Sequence, residues 1–244
     1  MTHQLHMPDI DANYVKDFTA RIVKGGDGYV ILDQTAFYPT GGGQDFDTGE
    51  LHHDDGSVRV REVLKKGEVR HYVDGAVPDD VSKVTGLVDW DRRYAHMRMH
   101  TAQHLVSALV YDLFGGARTV GNQIHRERSR IDFSVEGFSQ ADLAQIEEDA
   151  NQVIASRRTI ECYTESRTSL LARVKPERSN LDLIPPQIEN LRVIEIRDLD
   201  ICPCAGTHVR NTQEIGRLEV LGTTSKGKEK TRLEFTLEGL TPSG

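Results

Sequence analysis

The sequence predicts an α+β protein in which a small β-barrel precedes a part that mixes helices with strands. Up to about residue 91 the chain consists of short strand patterns separated by turn signals, which is typical of a small barrel. Over residues 92–114 no Gly or Pro interrupts the chain, which indicates a long helix, and further helices and strands follow it. We therefore expect one unit over residues 1–91 and a second over residues 92–244.

The predicted strands of the first unit are separated by turns. Gly25-Gly26-Asp27-Gly28 stands between two apolar stretches, which is a hairpin signal, and residues 58–63 alternate with the period of a strand that has one buried face. The strands are expected at residues 20–23, 29–32, 58–63, 69–73 and 84–88.

Three consecutive glycines, at positions 41–43, lie inside this unit and are followed by Gln44. Such a run lets the backbone adopt positive φ angles and approach another group closely. Composition alone favours a wide turn. The functional alternative is a loop that leans over a site and presents Gln44.

The second unit is expected to open with a helix over residues 92–114, with Asp91 as its N-cap. Its apolar residues recur at the spacing of one helical face, and His100 and His104 lie beside that stripe, at the edge of the core. The stripe consists of Ala95, Met99, Ala102, Val106, Leu109, Val110 and Leu113.

Strands and shorter helices are predicted for the rest of the chain. Ser139 and Asp142 resemble a capping box that opens a helix to about residue 157, and a short helix is expected at 167–174. A strand at 191–196 delivers the chain to Cys204. Further strands are expected at residues 117–126, 130–135, 160–163, 217–221 and 230–237.

Composition and charge limit the function classes. The 244 residues are 37% hydrophobic and 28% charged, and no apolar run approaches the roughly 20 residues of a membrane span. No signal-peptide pattern opens the chain, and three cysteines argue against a disulfide framework and for a reducing, cytoplasmic setting.

The net charge of −8 argues against broad binding of polyanions, although a local basic patch could still grip one end of an RNA. Each candidate patch is more often an ordinary solvated face. The patches are Arg126, Arg128 and Arg130; Arg157 and Arg158; and Lys226, Lys228, Lys230 and Arg232.

Histidines stand at every fourth position of the predicted long helix, at His96, His100 and His104. Side chains at i and i+4 share one helical face, so two neighbouring imidazoles can converge on one metal ion. About a hundred residues later, a Cys-Ala-Gly-Thr-His loop offers Cys204 and His208. Cys and His together are the ligands that suit zinc.

The spacing leaves the role of this metal site open. Four protein ligands are typical of a closed structural zinc, whereas catalytic zinc usually keeps three and a water. Either His96 or Cys202 could replace its neighbour as a ligand. A metalloprotease is excluded, because its His-Glu-x-x-His motif needs Glu as general base where this chain has Thr101.

These motifs resemble the editing domain of alanyl-tRNA synthetase and, more closely, its freestanding relatives, the alanyl-tRNA editing proteins. The likeness covers residues 30–237 and is carried by His-Thr-Ala-Gln-His-Leu at 100–105, Cys-Ala-Gly-Thr-His-Val at 204–209 and Gly-Gly-Gly-Gln at 41–44. Ser-Lys-Gly-Lys at 225–228 and Arg-Leu-Glu-Phe at 232–235 also fit. Ala205 stands where the family loop often has Gly, a small change that should not disturb ligation.

The resemblance implies a small β-barrel domain followed by the two-layer α+β editing domain that alanyl- and threonyl-tRNA synthetases share. It implies that Gln44 lines the amino-acid pocket and that Thr119 contacts the hydroxyl of a serine substrate. The absence of segments for adenylation and tRNA charging implies a protein that acts in trans. The implied zinc ligands are His100, His104, Cys204 and His208.

The implied activity is hydrolysis of the ester that joins a wrong amino acid, chiefly serine and also glycine, to the acceptor end of tRNA(Ala). Zinc could polarise water or the ester carbonyl, or it could hold the substrate amino group. Alanine is smaller than serine, so only a site that hydrogen-bonds the hydroxyl can reject it.

Two other functions stay open. The first is a zinc-stabilised tRNA-binding module without hydrolytic activity. The second is an editing enzyme of the threonyl system, against which the glycine-rich loop and the barrel argue.

Overall fold

The structure is a computed structural model that describes residues 1–78 and 80–240. It confirms the α+β prediction, because a closed antiparallel barrel is followed by helices packed on open sheets. The strands are β1 (His3–Gln4), β2 (Asp17–Gly26), β3 (Tyr29–Leu32), β4 (Gln34–Thr35), β5 (Gly49–His53), β6 (Gly56–Lys66), β7 (Glu68–Asp74), β8 (Lys83–Val88), β9 (Thr119–Ile124), β10 (Ser129–Phe133), β11 (Ile160–Ser166), β12 (Asn190–Ile196), β13 (Asp200–Pro203), β14 (Leu218–Ser225) and β15 (Thr231–Leu237). The α-helices are α1 (Trp90–Leu113), α2 (Gln140–Ala155) and α3 (Arg167–Leu171), and short 3-10 turns occupy Asp11–Tyr14, Leu181–Leu183 and Thr212–Ile215.

The barrel closes in the order β2-β3-β7-β6-β5-β8, with antiparallel neighbours. Each strand predicted for the first unit falls within one of these strands. In β6 the buried residues are Val58, Val60 and Val63, and a bulge between Val60 and Glu62 shifts the alternation by one residue. The bulge therefore keeps Val63 inside the barrel.

The sequence did not predict β5, which pairs with both β6 and β8 and so closes the barrel. Its strongly apolar residue is Leu51, which is fully buried, so the segment carries little periodic signal. A Cβ atom at Gly49 would lie 2.0 Å from the carbonyl oxygen of Leu87. Glycine at this position is therefore a condition for closure.

α1 begins at Trp90, immediately after the last barrel strand. Asp89 is its N-cap, because the Asp89 carboxylate accepts a hydrogen bond from the Arg92 N–H at 3.3 Å. The prediction of Asp91 as the cap is wrong, since Asp91 is an exposed residue of the first helical turn. The helix starts earlier than predicted because β8 already ends at Val88.

The helices α1 and α2 pack on the open sheet β14-β15-β10-β9 and share one hydrophobic core with it. α2 opens at the predicted capping box, in which Ser139 Oγ accepts from the Asp142 N–H and the Asp142 carboxylate accepts from the Ser139 N–H. A second sheet, β11-β12-β13, delivers the chain to Cys204. Within the part of the chain that the structure describes, no helix is both long and apolar enough to cross a membrane.

The N-terminal segment joins the barrel to the loop that carries the predicted metal ligands. Arg93 and Asp47 form a fully buried ion pair, with Nε and Oδ2 2.9 Å apart, and Arg93 also donates to the Asn13 carbonyl oxygen at 2.9 Å. Asn13 Oδ1 in turn accepts from the His208 N–H at 2.6 Å. The division into units 1–91 and 92–244 stays a prediction.

Candidate metal centre

The structure brings together the side chains that the sequence predicted as metal ligands. His100 and His104 project from neighbouring turns of α1, and Cys204 and His208 come from the loop after β13. Their potential ligand atoms all lie within 4.8 Å of one another. Cys204 Sγ lies 3.5 Å from His100 Nε2 and 3.4 Å from His208 Nε2. A thiol and imidazoles from two remote segments therefore face one centre.

Protein acceptors hold the other ring nitrogen of the two helical histidines. His100 Nδ1 bonds Gln44 Oε1 at 2.8 Å, and His104 Nδ1 bonds Asp200 Oδ2 at 3.3 Å. An amide oxygen and a carboxylate accept but do not donate, so each Nδ1 carries the proton. The Nε2 lone pairs are thereby left for the shared centre.

His208 is held in the same way by a hydroxyl. Thr101 Oγ1 donates its single proton to the Met97 carbonyl oxygen at 2.8 Å, so it can only accept from His208 Nδ1 at 3.2 Å. The proton of His208 therefore lies on Nδ1, and its Nε2 lone pair faces the cluster. In their neutral form the three imidazoles therefore share one tautomer, which is the form that binds metal through Nε2.

The electrostatics of the cluster favour a thiolate. Burial alone would raise the pKa of the Cys204 thiol, but the charge and hydrogen bonds of His100, His104 and His208 hold it well below its ordinary value. Burial likewise opposes a charge on His104, yet its bonds to Asp200 and Cys204 raise its pKa to about 10. Without a metal ion, His104 therefore also holds a proton on Nε2, which a metal ion displaces on binding. The thiolate is the form of cysteine that ligates metal.

The donor set fits a zinc ion. Three imidazole nitrogens and one thiolate are a set that tetrahedral zinc sites use. The acceptors on the Nδ1 atoms are the outer partners that orient such ligands and fix their tautomers. The cluster is buried except for Cys204, which is partly exposed. A small molecule can therefore reach the centre from the side of Cys204.

A second group of potential ligands adjoins the first. Atoms of His104, Asp200 and Cys202 also lie within 4.8 Å of one another. Burial and the Asp200 charge raise the pKa of the Cys202 thiol well above its ordinary value, so Cys202 is held as a thiol. The first group is favoured for this reason. His96, the other alternative ligand, is fully buried and belongs to neither group.

Gln44 is fully buried behind His100. Besides His100, its Oε1 accepts from the Thr207 N–H at 3.1 Å, and its Nε2 donates to Thr207 Oγ1 at 2.9 Å. The amide thus links the glycine-rich loop to α1 and to the loop of residues 204–208. It orients His100, while its expected place in the amino-acid pocket stays a prediction.

The glycine-rich loop is a tight turn that presses on β9. Gly41 and Gln44 exchange two backbone hydrogen bonds, of 3.1 and 2.9 Å, and Gly42 and Gly43 have φ angles of 56° and 84°. A Cβ atom at Gly43 would lie 2.0 Å from Asn122 Oδ1. Only glycine allows this positive φ angle and this close approach together.

A cavity of about 310 Å³ adjoins the cluster, and His100, His104, Cys204 and Thr119 all line it. This volume is at the lower end of the range for small-ligand pockets, which suits a single amino acid with its ester. A wider groove, of about 830 Å³, lies between α2 and β14 and shares no lining residue with the cluster. The smaller cavity is therefore the candidate substrate pocket.

Thr119 begins β9 and lies in the wall of this cavity. Its Oγ1 is 2.7 Å from Ser107 Oγ, and its carbonyl oxygen accepts from Asn180 Nδ2 at 3.1 Å. Thr119 therefore stands in the same cavity as the metal centre, on a strand that lies beside the helix of the histidine ligands. Its contact with a substrate stays a prediction.

Sequence reasoning overlooked several residues of the site. Ser107 follows His104 by three positions and His100 by seven, so helical spacing already placed it on the same face. Gln103 also lines the cavity, and it precedes Ser107 by one turn. Asp200 had no such signal, because it reaches His104 from a strand about a hundred residues away.

The predicted basic patches differ in how much of their charge is free. Arg232 pairs with Asp132, and Arg158 donates to backbone carbonyl oxygens. Arg126 and Arg128 are exposed in the turn between β9 and β10. That turn adjoins the glycine-rich loop, whose residue 43 accepts the last N–H of β9 at 2.7 Å. This patch therefore lies close to the cavity wall, to which Gly42 and Asn122 contribute.

Two family models match the chain. The family described as "tRNA synthetases class II (A)" matches residues 7–92, which contain the barrel strands. The family described as "Threonyl and Alanyl tRNA synthetase second additional domain" matches residues 191–234, which contain Cys204 and His208.

The chain is also similar to curated proteins over nearly its whole length. It is 40% identical to the alanyl-tRNA editing protein AlaX-M of Saccharolobus solfataricus, over 98% of this chain and 100% of the relative. It is 38% identical to AlaX-M of Methanosarcina barkeri, over 97% of this chain and 99% of the relative. Against the alanine–tRNA ligase of Ignicoccus hospitalis it is 36% identical over 91% of this chain but only 25% of the ligase.

Proposed function

The chain belongs to the alanyl-tRNA editing protein family, and we propose that it is a zinc-dependent hydrolase acting in trans on mischarged tRNA(Ala). Its chief substrate is Ser-tRNA(Ala), and Gly-tRNA(Ala) is a second. The observation that carries this proposal is the convergence of three imidazoles and a thiolate beside a cavity large enough for one amino acid. The reaction is hydrolysis of the ester between the amino acid and the terminal ribose.

The proposed zinc ligands are His100, His104, Cys204 and His208. When bound, zinc supplies a fixed positive charge that polarises the ester carbonyl or holds the substrate amino group. The chain holds the ligands ready for it, because each Nδ1 proton is already bonded to a protein acceptor. Little reorganisation of the imidazoles is needed on loading.

The other residues of the site bind and orient the substrate. Thr119 lines the cavity and offers a hydroxyl to the substrate side chain. Gln44 holds His100 from behind and ties it to the loop of residues 204–208. Arg126 and Arg128, exposed beside the glycine-rich loop, are suited to a phosphate of the tRNA acceptor end.

Deacylation of Ser-, Gly- and Ala-tRNA(Ala), each with and without a chelator, tests the proposal. We expect rapid loss of serine, slower loss of glycine, retention of alanine, and loss of activity when the metal is removed. Metal analysis of the purified protein gives an independent readout. Equal turnover of serine and alanine, or turnover of none of the three, would contradict the proposed activity.

A zinc-stabilised tRNA-binding module is the alternative, and the number of protein ligands favours it. Four such ligands are the mark of closed structural zinc sites. This alternative predicts that a chelator unfolds the part around α1, and that tRNA(Ala) is bound while its amino acid stays attached. A gel-shift assay run beside the deacylation assay separates the two functions.

A further inference from the structure

A continuous chain of hydrogen bonds follows one wall of the cavity. Asn122 Nδ2 donates to Gln103 Oε1 at 3.3 Å, Gln103 Nε2 donates to Ser107 Oγ at 2.8 Å, and Ser107 Oγ lies 2.7 Å from Thr119 Oγ1. All four residues line the cavity together with His104. The chain ends in two neighbouring hydroxyls, one from α1 and one from β9.

Packing fixes the start of this chain. The glycine-rich loop presses on Asn122, because a Cβ atom at Gly43 would lie 2.0 Å from Asn122 Oδ1. Asn122 then presents its Nδ2 to Gln103 Oε1, so the Gln103 amide must turn its Nε2 toward Ser107. The glycine-rich loop thus orients the amides of Asn122 and Gln103, which lie in the wall of the cavity.

The two hydroxyls leave a definite set of free groups. Together they have two protons and four lone pairs. Gln103 occupies one lone pair of Ser107, and the bond between Ser107 and Thr119 uses one proton and one lone pair. One proton and two lone pairs remain, whichever hydroxyl donates to the other. The pair can therefore donate one hydrogen bond into the cavity and accept others from it.

We propose that Ser107 is a specificity-determining residue, which recognises the side-chain hydroxyl of a serine substrate together with Thr119. This inference rests on the proposed deacylation of Ser-tRNA(Ala). An alcohol both donates and accepts, so it matches the groups that the pair leaves free. With alanine bound in the cavity, the donor that the pair leaves free would be shut off from solvent without a partner, which is costly.

The two hydroxyls of Ser107 and Thr119 also predict how fast a glycine substrate is hydrolysed relative to serine and alanine. Glycine has no side chain, so a water molecule can take the place of the serine hydroxyl and satisfy the pair. Alanine has no atom at that place, and its methyl carbon, one bond length away, leaves too little room for a water molecule there. The expected order of turnover is therefore serine, then glycine, then alanine, which size alone would not produce.

The wild-type protein provides a first test with an isosteric substrate. We compare tRNA(Ala) charged with serine and with 2-aminobutyrate, whose side chain carries a methyl group where serine carries its hydroxyl. We expect kcat/KM to be about 10- to 100-fold lower for 2-aminobutyrate. Equal rates for the two would overturn the inference while leaving the editing activity intact. Failure to deacylate Ser-tRNA(Ala) at all would overturn the proposed function itself.

A set of variants tests whether Ser107 is responsible for the preference for serine over 2-aminobutyrate. Ser107→Ala should reduce the ratio of kcat/KM for serine over 2-aminobutyrate by about 10-fold or more, while Ser107→Thr, which keeps a hydroxyl, should preserve most of it. Ser57→Ala, an exposed position in β6, is the matched control and should leave the ratio unchanged. Metal content and the melting temperature report whether each variant is folded and loaded.

Either of two outcomes of this set would contradict the inference. One is an unchanged ratio in a folded Ser107→Ala protein. The other is an equal loss of kcat/KM on both substrates, which would assign Ser107 a general structural role.

Discussion

The barrel and the metal centre both bury histidines, but they use the ring nitrogens differently. In the barrel, His71 Nδ1 donates to the Val30 carbonyl oxygen at 3.2 Å, and Nε2 accepts from Thr35 Oγ1 at 2.8 Å. In the metal centre, Nδ1 is also held by the protein, but Nε2 of His100 faces Cys204 Sγ. A buried imidazole with both nitrogens bonded belongs to the core, whereas one with Nε2 turned to other donors is a potential ligand.

The two regions also differ in charge. Burial lowers the pKa of His71 to about 4, so the barrel keeps this imidazole neutral near pH 7. In the metal centre, burial also lowers the pKa of His100 and His208, whereas at His104 the bonds to Asp200 and Cys204 outweigh burial and raise the pKa to about 10. Burial by itself therefore does not mark a functional histidine. A functional histidine is marked by the charged or ligand-forming side chains that are buried beside it, such as Asp200 and Cys204 beside His104.

The largest expected effect is the loss of the thiolate from the metal centre. Cys204→Ser should lower both zinc content and deacylation of Ser-tRNA(Ala), because it removes a ligand. The loss of activity should exceed the about 100-fold effect of removing an outer-shell partner. Metal analysis after dialysis and single-turnover kinetics measure the two effects.

Cys202→Ser is the matched control for this variant. Cys202 is held as a thiol and belongs to the second group of potential ligands, so its replacement should leave zinc content near that of the wild type. If Cys202→Ser loses the metal while Cys204→Ser retains it, the second group is the site. The comparison between barrel and metal-centre histidines would then have to be made with the group of His104, Asp200 and Cys202.

The next effect concerns the barrel and its stability in acid. The folded pKa of His71, about 4, lies below its unfolded value near 6.5, so the unfolded chain binds the proton more readily. The contribution of His71 to stability is therefore present above pH 6.5 and is lost as the pH falls toward 4. The shift corresponds to about 3 kcal/mol in the free energy of unfolding.

Urea denaturation between pH 7.5 and pH 4 measures this loss, with His71→Gln as the comparison. The variant should be less stable at pH 7.5 but should lose less stability on acidification than the wild type. Parallel curves for the two proteins would mean that His71 does not titrate as a buried neutral core residue. The statement that the barrel keeps a buried histidine neutral would then be wrong.

The smallest expected effect concerns Asp200. Its carboxylate accepts the Nδ1 proton of His104, as the Val30 carbonyl oxygen accepts the Nδ1 proton of His71. Asp200→Ala should weaken zinc binding by about 10- to 100-fold, because it removes the acceptor that orients the imidazole. Asp200→Asn should lose less, since its amide oxygen can still accept the Nδ1 proton. Competition with a chromogenic chelator measures the affinities, and unchanged binding in Asp200→Ala would remove Asp200 from the site.

Much of the architecture follows from local patterns. The capping box at Ser139 opens α2 as predicted, and the turn at residues 25–28 joins β2 to β3. The helical spacing of His100 and His104 likewise predicts that the two side chains share one face of α1, as they do. These features depend on residues within a few positions of one another, and so they can be read from the sequence.

Other features were not predictable in this way. β5 has too few apolar residues for a periodic signal, and its place depends on the contact between Gly49 and β8. The cap of α1 is Asp89 and not Asp91, because the end of β8 determines where the helix begins. In both cases a neighbouring strand, and not the local pattern, decided the outcome.

The sequence alone determined which side chains are candidates for metal binding, because their chemical type and helical spacing are local properties. Only the tertiary structure decided what surrounds them: Gln44, Asp200 and Thr101 hold the three Nδ1 protons, and Ser107 meets Thr119 in the cavity wall. Most of these contacts join segments that are remote in the chain. They exist because the packing of the barrel, α1 and β13 brings these polar groups to partners that their own segments do not supply.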